Sequence, residues 1–163
     1  MSNTSEVRIQ INGEVFERHV EPRKLLSDFI REDAALTGTH VGCEHGACGA
    51  CTVLLDGEPV RSCLMFAAQA DGMVLETVES LASTPANLHP IQEAFWEKHG
   101  LQCGFCTPGM LLTTKALLEK NPDPSEDEIR QAIAGNICRC TGYVFIVDAI
   151  KDAAARCSSE GDR

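Results

Sequence analysis

The stretch GCEHGACGACTV, Gly42 to Val53, determines what the first half of the chain is predicted to be. Cys43, Cys48 and Cys51 lie within it in the spacing C-x4-C-x2-C, and Cys63 follows twelve positions after Cys51. Glycines between and beside these cysteines let the backbone wrap closely and direct its N–H groups at sulfur. The stretch therefore predicts a compact loop that presents three thiolates, with a fourth supplied by a nearby strand.

This spacing is the plant-type arrangement of ligands for a [2Fe–2S] cluster. Two irons bridged by two sulfides each need two thiolates, and four cysteines supply them. Structural zinc is the alternative, but its usual signature is a pair of short C-x2–4-C motifs. Three cysteines in one loop favour an iron–sulfur cluster as the centre held by Cys43, Cys48, Cys51 and Cys63.

The residues around this loop predict a small mixed β-sheet crossed by one helix. Apolar and polar residues alternate from Val7 to Ile11, which is typical of a half-buried strand, and Asn12-Gly13 is a strong hairpin signal. Asp56-Gly57 predicts a second hairpin. The predicted strands span residues 7–11, 15–20, 52–55, 58–63 and 73–78, and the helix spans 25–30.

The second half of the chain has a helical pattern. Pro90 and Pro108 stand at tolerated first-turn positions, and Ser125 with Glu128 forms a capping-box signature. The predicted helices cover residues 89–99, 107–120, 125–135 and 143–156. Between the halves, LASTPANL (Leu81 to Leu88) is a polar connector. The sequence thus predicts an α+β protein with a sheet-forming domain over 1–80 and a helical domain over 81–163.

The helical half carries a second set of four cysteines, in the two short pairs Cys103/Cys106 and Cys138/Cys140. Cys106 immediately precedes a predicted helix, whose N-terminus would favour a thiolate there. By spacing alone, this set is compatible with an iron–sulfur cluster or with zinc. A thioredoxin-like redox pair at Cys103 and Cys106 is less favoured, because no βαβ pattern surrounds it.

Composition limits the possible partners and compartments. The 163 residues carry a formal net charge of −10 and only 5% aromatic residues, which argues against nucleic acid and anionic membranes as partners. No apolar run reaches the roughly 20 residues of a membrane span, and none begins the chain as a signal peptide would. We therefore expect a cytoplasmic protein, and in that reducing compartment nine cysteines indicate metal binding rather than disulfides.

Three stretches together resemble one family over most of the chain. GCEHGACGACTV, GLQCGFCTPGM (Gly100 to Met110) and GNICRCTGY (Gly135 to Tyr143) are similar to the signatures of the iron–sulfur subunit of molybdenum hydroxylases. This is the xanthine dehydrogenase, aldehyde oxidase and aerobic carbon monoxide dehydrogenase family. The resemblance implies a β-grasp plant-type ferredoxin domain followed by a four-helix domain, each with one [2Fe–2S] cluster.

The resemblance also implies partners and a role. A large subunit would carry molybdopterin and a medium subunit FAD, assembled as a dimer of heterotrimers that hydroxylates an aldehyde, an N-heteroaromatic or a related small substrate. This chain would be the electron-transfer subunit of that oxidoreductase, with no catalytic residue of its own. Metal ligands would be Cys43, Cys48, Cys51, Cys63, Cys103, Cys106, Cys138 and Cys140, and Gln102 and Cys140 would lie near the pterin.

Two other functions remain possible from the sequence. A free-standing ferredoxin would carry electrons between separate proteins, but it would need neither the helical domain nor the second cysteine set. A zinc-stabilised interaction module would be colourless and redox-silent. One departure from the family pattern is Phe145, where the family often has Asn; this position is not a ligand.

Overall fold

A single mixed sheet occupies the first half of the chain. The computed structural model describes residues 4–82, 84 and 87–160, without the side chains of 159 and 160. Its strands are Ser5–Ile11 (β1), Glu14–Val20 (β2), Thr52–Leu55 (β3), Glu58–Arg61 (β4) and Val74–Glu76 (β5). They lie in the order β2-β1-β5-β3-β4, with β1 parallel to β5 and the other pairs antiparallel.

The two predicted hairpins form at their predicted turns. Asn12-Gly13 joins β1 to β2 and Asp56-Gly57 joins β3 to β4, and all four residues have positive φ, as a type I′ turn requires. Strands β4 and β5 are shorter than predicted. β4 ends at Arg61 because Ser62–Leu64 form a tight helical turn that carries Cys63, and β5 covers only three residues.

Helices are Leu26–Asp28 (α1), Pro90–Glu97 (α2), Thr107–Lys120 (α3), Glu126–Ile133 (α4) and Val144–Glu160 (α5). α1 continues into a π-helical turn over Phe29–Asp33. α4 stops two residues before the predicted end, where the N–H of Asn136 donates to the carbonyl of Ile133. The predicted capping box forms, because the Glu128 N–H donates to Ser125 Oγ and Ser125 N–H to the Glu128 carboxylate. The chain is therefore of the α+β class.

Strand β3 is buried on both faces, and this places the two halves against each other. Val53 and Leu55 belong to the core between the sheet and α1, whereas Leu54 belongs to the core of the helical half. Successive side chains of a strand point to opposite faces. The sheet is thus covered by α1 on one side and by α3 on the other.

The predicted connector lies only partly within the described residues. Leu81 is buried in the helical core, and Thr84 and Asn87 form an isolated β-bridge. Residues 83, 85 and 86 of this connector fall outside the part of the chain that the structure describes. Among the described residues, none of the helices has both the length and the apolar composition that crossing a bilayer requires.

Candidate metal centres

The first four cysteines come together at one end of the sheet. Cys43, Cys48 and Cys51 lie in the loop that leads into β3, and Cys63 lies in the helical turn after β4. We call these four cysteines the loop group. Because β3 and β4 are paired, their ends bring Cys51 and Cys63 together, and both are buried. Cys43 and Cys48 are half-buried.

Within the loop group the thiols form two pairs. The N–H of Cys48 lies 3.4 Å from Cys43 Sγ, and N–H groups of His45 and Cys48 lower the pKa of Cys43 to about 6. Burial, with the neighbouring Cys51 thiol, raises the pKa of Cys63 to about 11. Cys43, near the surface, thus receives backbone donors that stabilise negative charge on its sulfur, while Cys51 and Cys63 are held in the interior.

The last four cysteines, which we call the helix group, come from two turns of the helical half. Cys103 and Cys140 are exposed, and their sulfur atoms lie 3.5 Å apart. Cys106 and Cys138 are buried, and their side chains interact. Each group therefore consists of one pair of thiols near the surface and one buried pair.

Cys106 is the residue that caps the N-terminus of α3. The sequence predicted that this helix end would favour its thiolate. In the structure burial dominates, followed by the Cys138 side chain, and together they raise the pKa of Cys106 to about 12. Cys106 lies beside the helix N-terminus as predicted. Its pKa is nevertheless raised rather than lowered, because desolvation disfavours the charged thiolate.

Hydrogen bonds fix the backbone and sulfur of Cys138. Thr141 Oγ1 donates to Cys138 Sγ at 3.1 Å, and the Cys138 N–H donates to the Tyr143 hydroxyl at 2.9 Å. Although burial raises the pKa of Cys138, hydrogen bonds from the Thr141 side chain and backbone outweigh it and lower the value. Sequence reasoning assigned no role to Thr141 or Tyr143, although both lie in the quoted stretch GNICRCTGY.

The donor set fits two-iron centres. Each iron of a [2Fe–2S] cluster takes two thiolates, and each group offers two pairs. The Thr107 hydroxyl, next to Cys106, is buried with no hydrogen-bond partner among the described residues, which leaves a donor beside the helix group. No set of three or more His, Cys, Asp or Glu side chains in the described residues is arranged to hold a single metal ion.

The two groups are joined by a seam of three long-range hydrogen bonds, of which the one from the Asn136 side chain is buried. The N–H of Ile137, next to Cys138, donates to the carbonyl oxygen of Cys48 at 2.8 Å. Arg61 of β4 donates to the carbonyl oxygen of Gly135 at 2.7 Å. The Asn136 side chain donates to the carbonyl oxygen of Gly49 at 3.0 Å. The sequence had not indicated any of these contacts, since each joins residues more than 70 positions apart.

Gln102, which the sequence predicted near the pterin, and His40 lie beside the helix group. Gln102 is exposed and precedes the exposed Cys103. His40 packs on the ring of Phe105 with the ring centroids 4.9 Å apart, and its Nδ1 lies 2.9 Å from the Phe105 carbonyl oxygen. His40 therefore contacts the segment between Cys103 and Cys106.

Comparison with known families gives two adjoining matches. Residues 9–82 match the family described as 2Fe-2S iron-sulfur cluster binding domain. Residues 77–151 match the family described as [2Fe-2S] binding domain. The first match contains the whole loop group and the second the whole helix group.

Known proteins similar to this chain match it over nearly its full length. The caffeine dehydrogenase subunit gamma of Pseudomonas sp. (strain CBB1) is 56% identical, over 91% of this chain and 90% of that protein. The nicotine 6-hydroxylase small subunit of Paenarthrobacter nicotinovorans is 51% identical, over 93% of this chain and 91% of that protein. A chain of quinoline 2-oxidoreductase from Pseudomonas putida 86 superimposes with a TM-score of 0.93 at 49% identity, covering 99% of this chain and 100% of that one.

Proposed function

Because the chain belongs to the family of iron–sulfur small subunits of molybdenum hydroxylases, we propose that it relays electrons from a molybdopterin centre on one partner subunit to FAD on another. The observation that carries this proposal is the arrangement of eight thiols in two groups joined by a seam of hydrogen bonds. A bound [2Fe–2S] cluster would accept and release one electron at each group.

The eight cysteines would act as ligands in pairs. Cys43 with Cys48, and Cys51 with Cys63, would each hold one iron at the loop group. Cys103 with Cys140, and Cys106 with Cys138, would do the same at the helix group. The sulfur–sulfur distance of 3.5 Å at Cys103 and Cys140 and the side-chain interactions of the other pairs support this assignment.

The chain's own residues would set the environment of these ligands. Backbone N–H groups directed at Cys43 and the Thr141 hydroxyl on Cys138 would stabilise negative charge on sulfur, and so favour the reduced state. The buried pairs would keep water away from one side of each group. We assign the chain no catalytic residue, as the sequence resemblance implied.

Exposure supports the proposed order of the groups. Cys103 and Cys140 are the exposed pair of the helix group, and Gln102 is exposed beside them. We propose that this face docks on the molybdopterin subunit, with Gln102 and Cys140 near the pterin. Electrons would enter on the helix-group side, cross the seam, and leave from the loop group toward the FAD subunit.

We further propose the domain plan, assembly and compartment that the sequence resemblance implied. A β-grasp ferredoxin domain over about 1–80 and a four-helix domain over 81–163 would each hold one cluster. The complex would be a dimer of heterotrimers in the cytoplasm, with an aldehyde, an N-heteroaromatic or a related small molecule as substrate. Substrates containing nitrogen rings are favoured by the names of the relatives, which include caffeine and nicotine enzymes.

Isolation of the native complex tests this function. An affinity tag on this chain should recover two larger subunits together with molybdenum and FAD. A substrate of the complex should then bleach the visible iron–sulfur absorption under anaerobic conditions. Recovery of the chain alone, with visible absorption but no molybdenum, would favour the free-standing ferredoxin instead.

A further inference from the structure

The side chain of Asn136 joins three separate parts of the molecule. It is only 2% exposed. Its Nδ2 donates to the carbonyl oxygen of Gly49 at 3.0 Å and to Thr52 Oγ1 at 3.2 Å, while its Oδ1 accepts from Thr113 Oγ1 at 3.1 Å. Both amide hydrogens and the amide oxygen are therefore used, and the partners lie in the cysteine loop, on β3 and on α3.

These bonds stand directly beside the contact between the two cysteine groups. Gly49 follows Cys48, and Asn136 precedes Ile137, whose N–H donates to the Cys48 carbonyl oxygen at 2.8 Å. The path from Cys48 to Cys138 therefore crosses between the halves by one hydrogen bond. The Asn136 amide ties the same two segments together one residue away, so both segments are held at two neighbouring points.

The backbones in this region approach so closely that only glycine fits. A Cβ atom on Gly109 would lie 2.5 Å from the Gly49 carbonyl oxygen and 3.0 Å from Asn136 Nδ2. Arg61 extends the network, since its guanidinium bonds Thr52 Oγ1 and the Gly135 carbonyl oxygen, both at 2.7 Å. The Gly49 carbonyl oxygen also accepts from the Thr52 N–H at 3.2 Å and from the Thr52 hydroxyl at 2.6 Å, and the buried Asn136 amide adds a donor that reaches it from the helical half.

We propose that Asn136 is a positioning residue that sets the separation of the loop group from the helix group. The proposal rests on the proposed electron-transfer function, because a fixed separation matters only if electrons cross between the groups. Electron tunnelling slows steeply as the gap between two centres widens. Asn136 would thus act on the rate of transfer through the Cys48–Ile137 contact, without touching either set of ligands.

The test uses the full chain carrying its iron–sulfur centres, as wild type, Asn136→Ala and Thr114→Val. Thr114 is a matched control, because its buried hydroxyl bonds the Met110 carbonyl within its own helix, α3, and no other partner among the described residues. Two measurements are made: the spin–spin interaction between the two centres by EPR after reduction with dithionite, and amide exchange over residues 134–138 by mass spectrometry. We expect Asn136→Ala to alter the interaction and to raise exchange about tenfold, because a buried hydrogen-bonded tie is lost.

Thr113→Val provides a second variant should Asn136→Ala fail to retain its irons. This variant keeps both donors of the Asn136 amide and removes the hydroxyl bonded to its Oδ1. We therefore expect amide exchange over residues 134–138 to rise less than in Asn136→Ala, but more than in Thr114→Val. Equal exchange in Thr113→Val and Thr114→Val would overturn the positioning role, as would an unchanged spin–spin interaction in an Asn136→Ala chain with its full iron. Absence of iron from the wild-type chain would instead overturn the proposed function, and amide exchange would still report on Asn136.

Discussion

The carbonyl oxygen of Gly135 lies 2.2 Å from the position that a Cβ atom on Gly49 would occupy. Gly49 also has a φ of +71°, in the region that favours glycine. A residue of the cysteine loop and a residue that follows the end of α4 are therefore in direct backbone contact. The close packing of the two halves therefore requires glycine at position 49, as it does at Gly109.

Replacing Gly49 by alanine should destabilise the chain strongly. The positive φ costs about 1 kcal/mol and the clash with Gly135 about 1–3 kcal/mol more, so we expect a loss of roughly 2–4 kcal/mol in the free energy of unfolding. Gly57→Ala is the control, because Gly57 has a φ of +82° and no atom of the described part of the chain lies within 4 Å of its Cβ position. Chemical unfolding of both variants separates the clash from the backbone strain, and equal losses in both would contradict the contact.

The hydroxyl of Thr141 should raise the reduction potential of the helix group. A hydrogen bond to a ligand sulfur stabilises the added electron, so Thr141→Val should lower this potential by on the order of 30–60 mV. Thr141→Ser keeps the hydroxyl and should restore a value near that of the wild type. An EPR-monitored redox titration measures both centres at once, with the loop group as internal reference. The role of Thr141 is excluded if the valine and serine variants titrate alike.

The Ser125 cap should make the free energy of unfolding depend on pH. Ser125 Oγ donates to the Glu128 carboxylate at 2.7 Å, and this bond lowers the pKa of Glu128 below its usual 4.5. A carboxyl with a lowered pKa adds stability that is present above its unfolded pKa and lost as pH falls through its folded pKa. Ser125→Ala should therefore cost about 1 kcal/mol at pH 7, and the difference from wild type should narrow below about pH 4.5.

Ser158→Ala is the control for this pH dependence. The Ser158 hydroxyl bonds the Ala154 carbonyl within α5 and contacts no carboxylate in the described structure. Its effect on the free energy of unfolding should be the same at pH 7 and at pH 4. A Ser125→Ala difference that stays constant over this range would show that the Glu128 carboxylate does not contribute.

Single ligand substitutions should reveal the order of the two groups in the assembled complex. With Cys48→Ser, substrate should still reduce molybdenum and the helix-group centre, while FAD reduction slows sharply. With Cys106→Ser, substrate should reduce molybdenum but neither iron–sulfur centre at a normal rate. Rapid-freeze EPR after mixing with substrate follows each centre, and Cys157→Ser, outside both groups, is the control. If Cys48→Ser blocks the helix-group centre while FAD is reduced normally, the order is reversed.

Local signals in the sequence predicted most of the secondary structure. The turns at Asn12-Gly13 and Asp56-Gly57, the start of α3 at Thr107 and the cap at Ser125 are all determined by neighbouring residues, and the structure has each at its predicted place. Strand and helix ends were less accurate. They depend on tertiary contacts: α4 ends at Ile133, and the residues that follow it, Gly135 and Asn136, bond Arg61 and Gly49 of the sheet half.

The long-range features could not be derived from the sequence alone. Leu54 has no property that distinguishes it from Val53 or Leu55, yet it faces the helical core because α3 covers that side of β3. The seam likewise joins residues far apart in the chain. A single sequence does not indicate which distant residues will be hydrogen-bonded to each other. The division into thiol pairs near the surface and buried pairs also appears only once the chain is folded.

The most direct test of the central claim is the metal content and spin count of the purified chain. Two groups with two irons each predict four irons and four acid-labile sulfides per chain, with two unpaired spins by EPR after full reduction. Cys157→Ser should leave the iron content, the sulfide content and the spin count unchanged. One zinc ion per group, with no visible absorption and no EPR signal, would contradict the account.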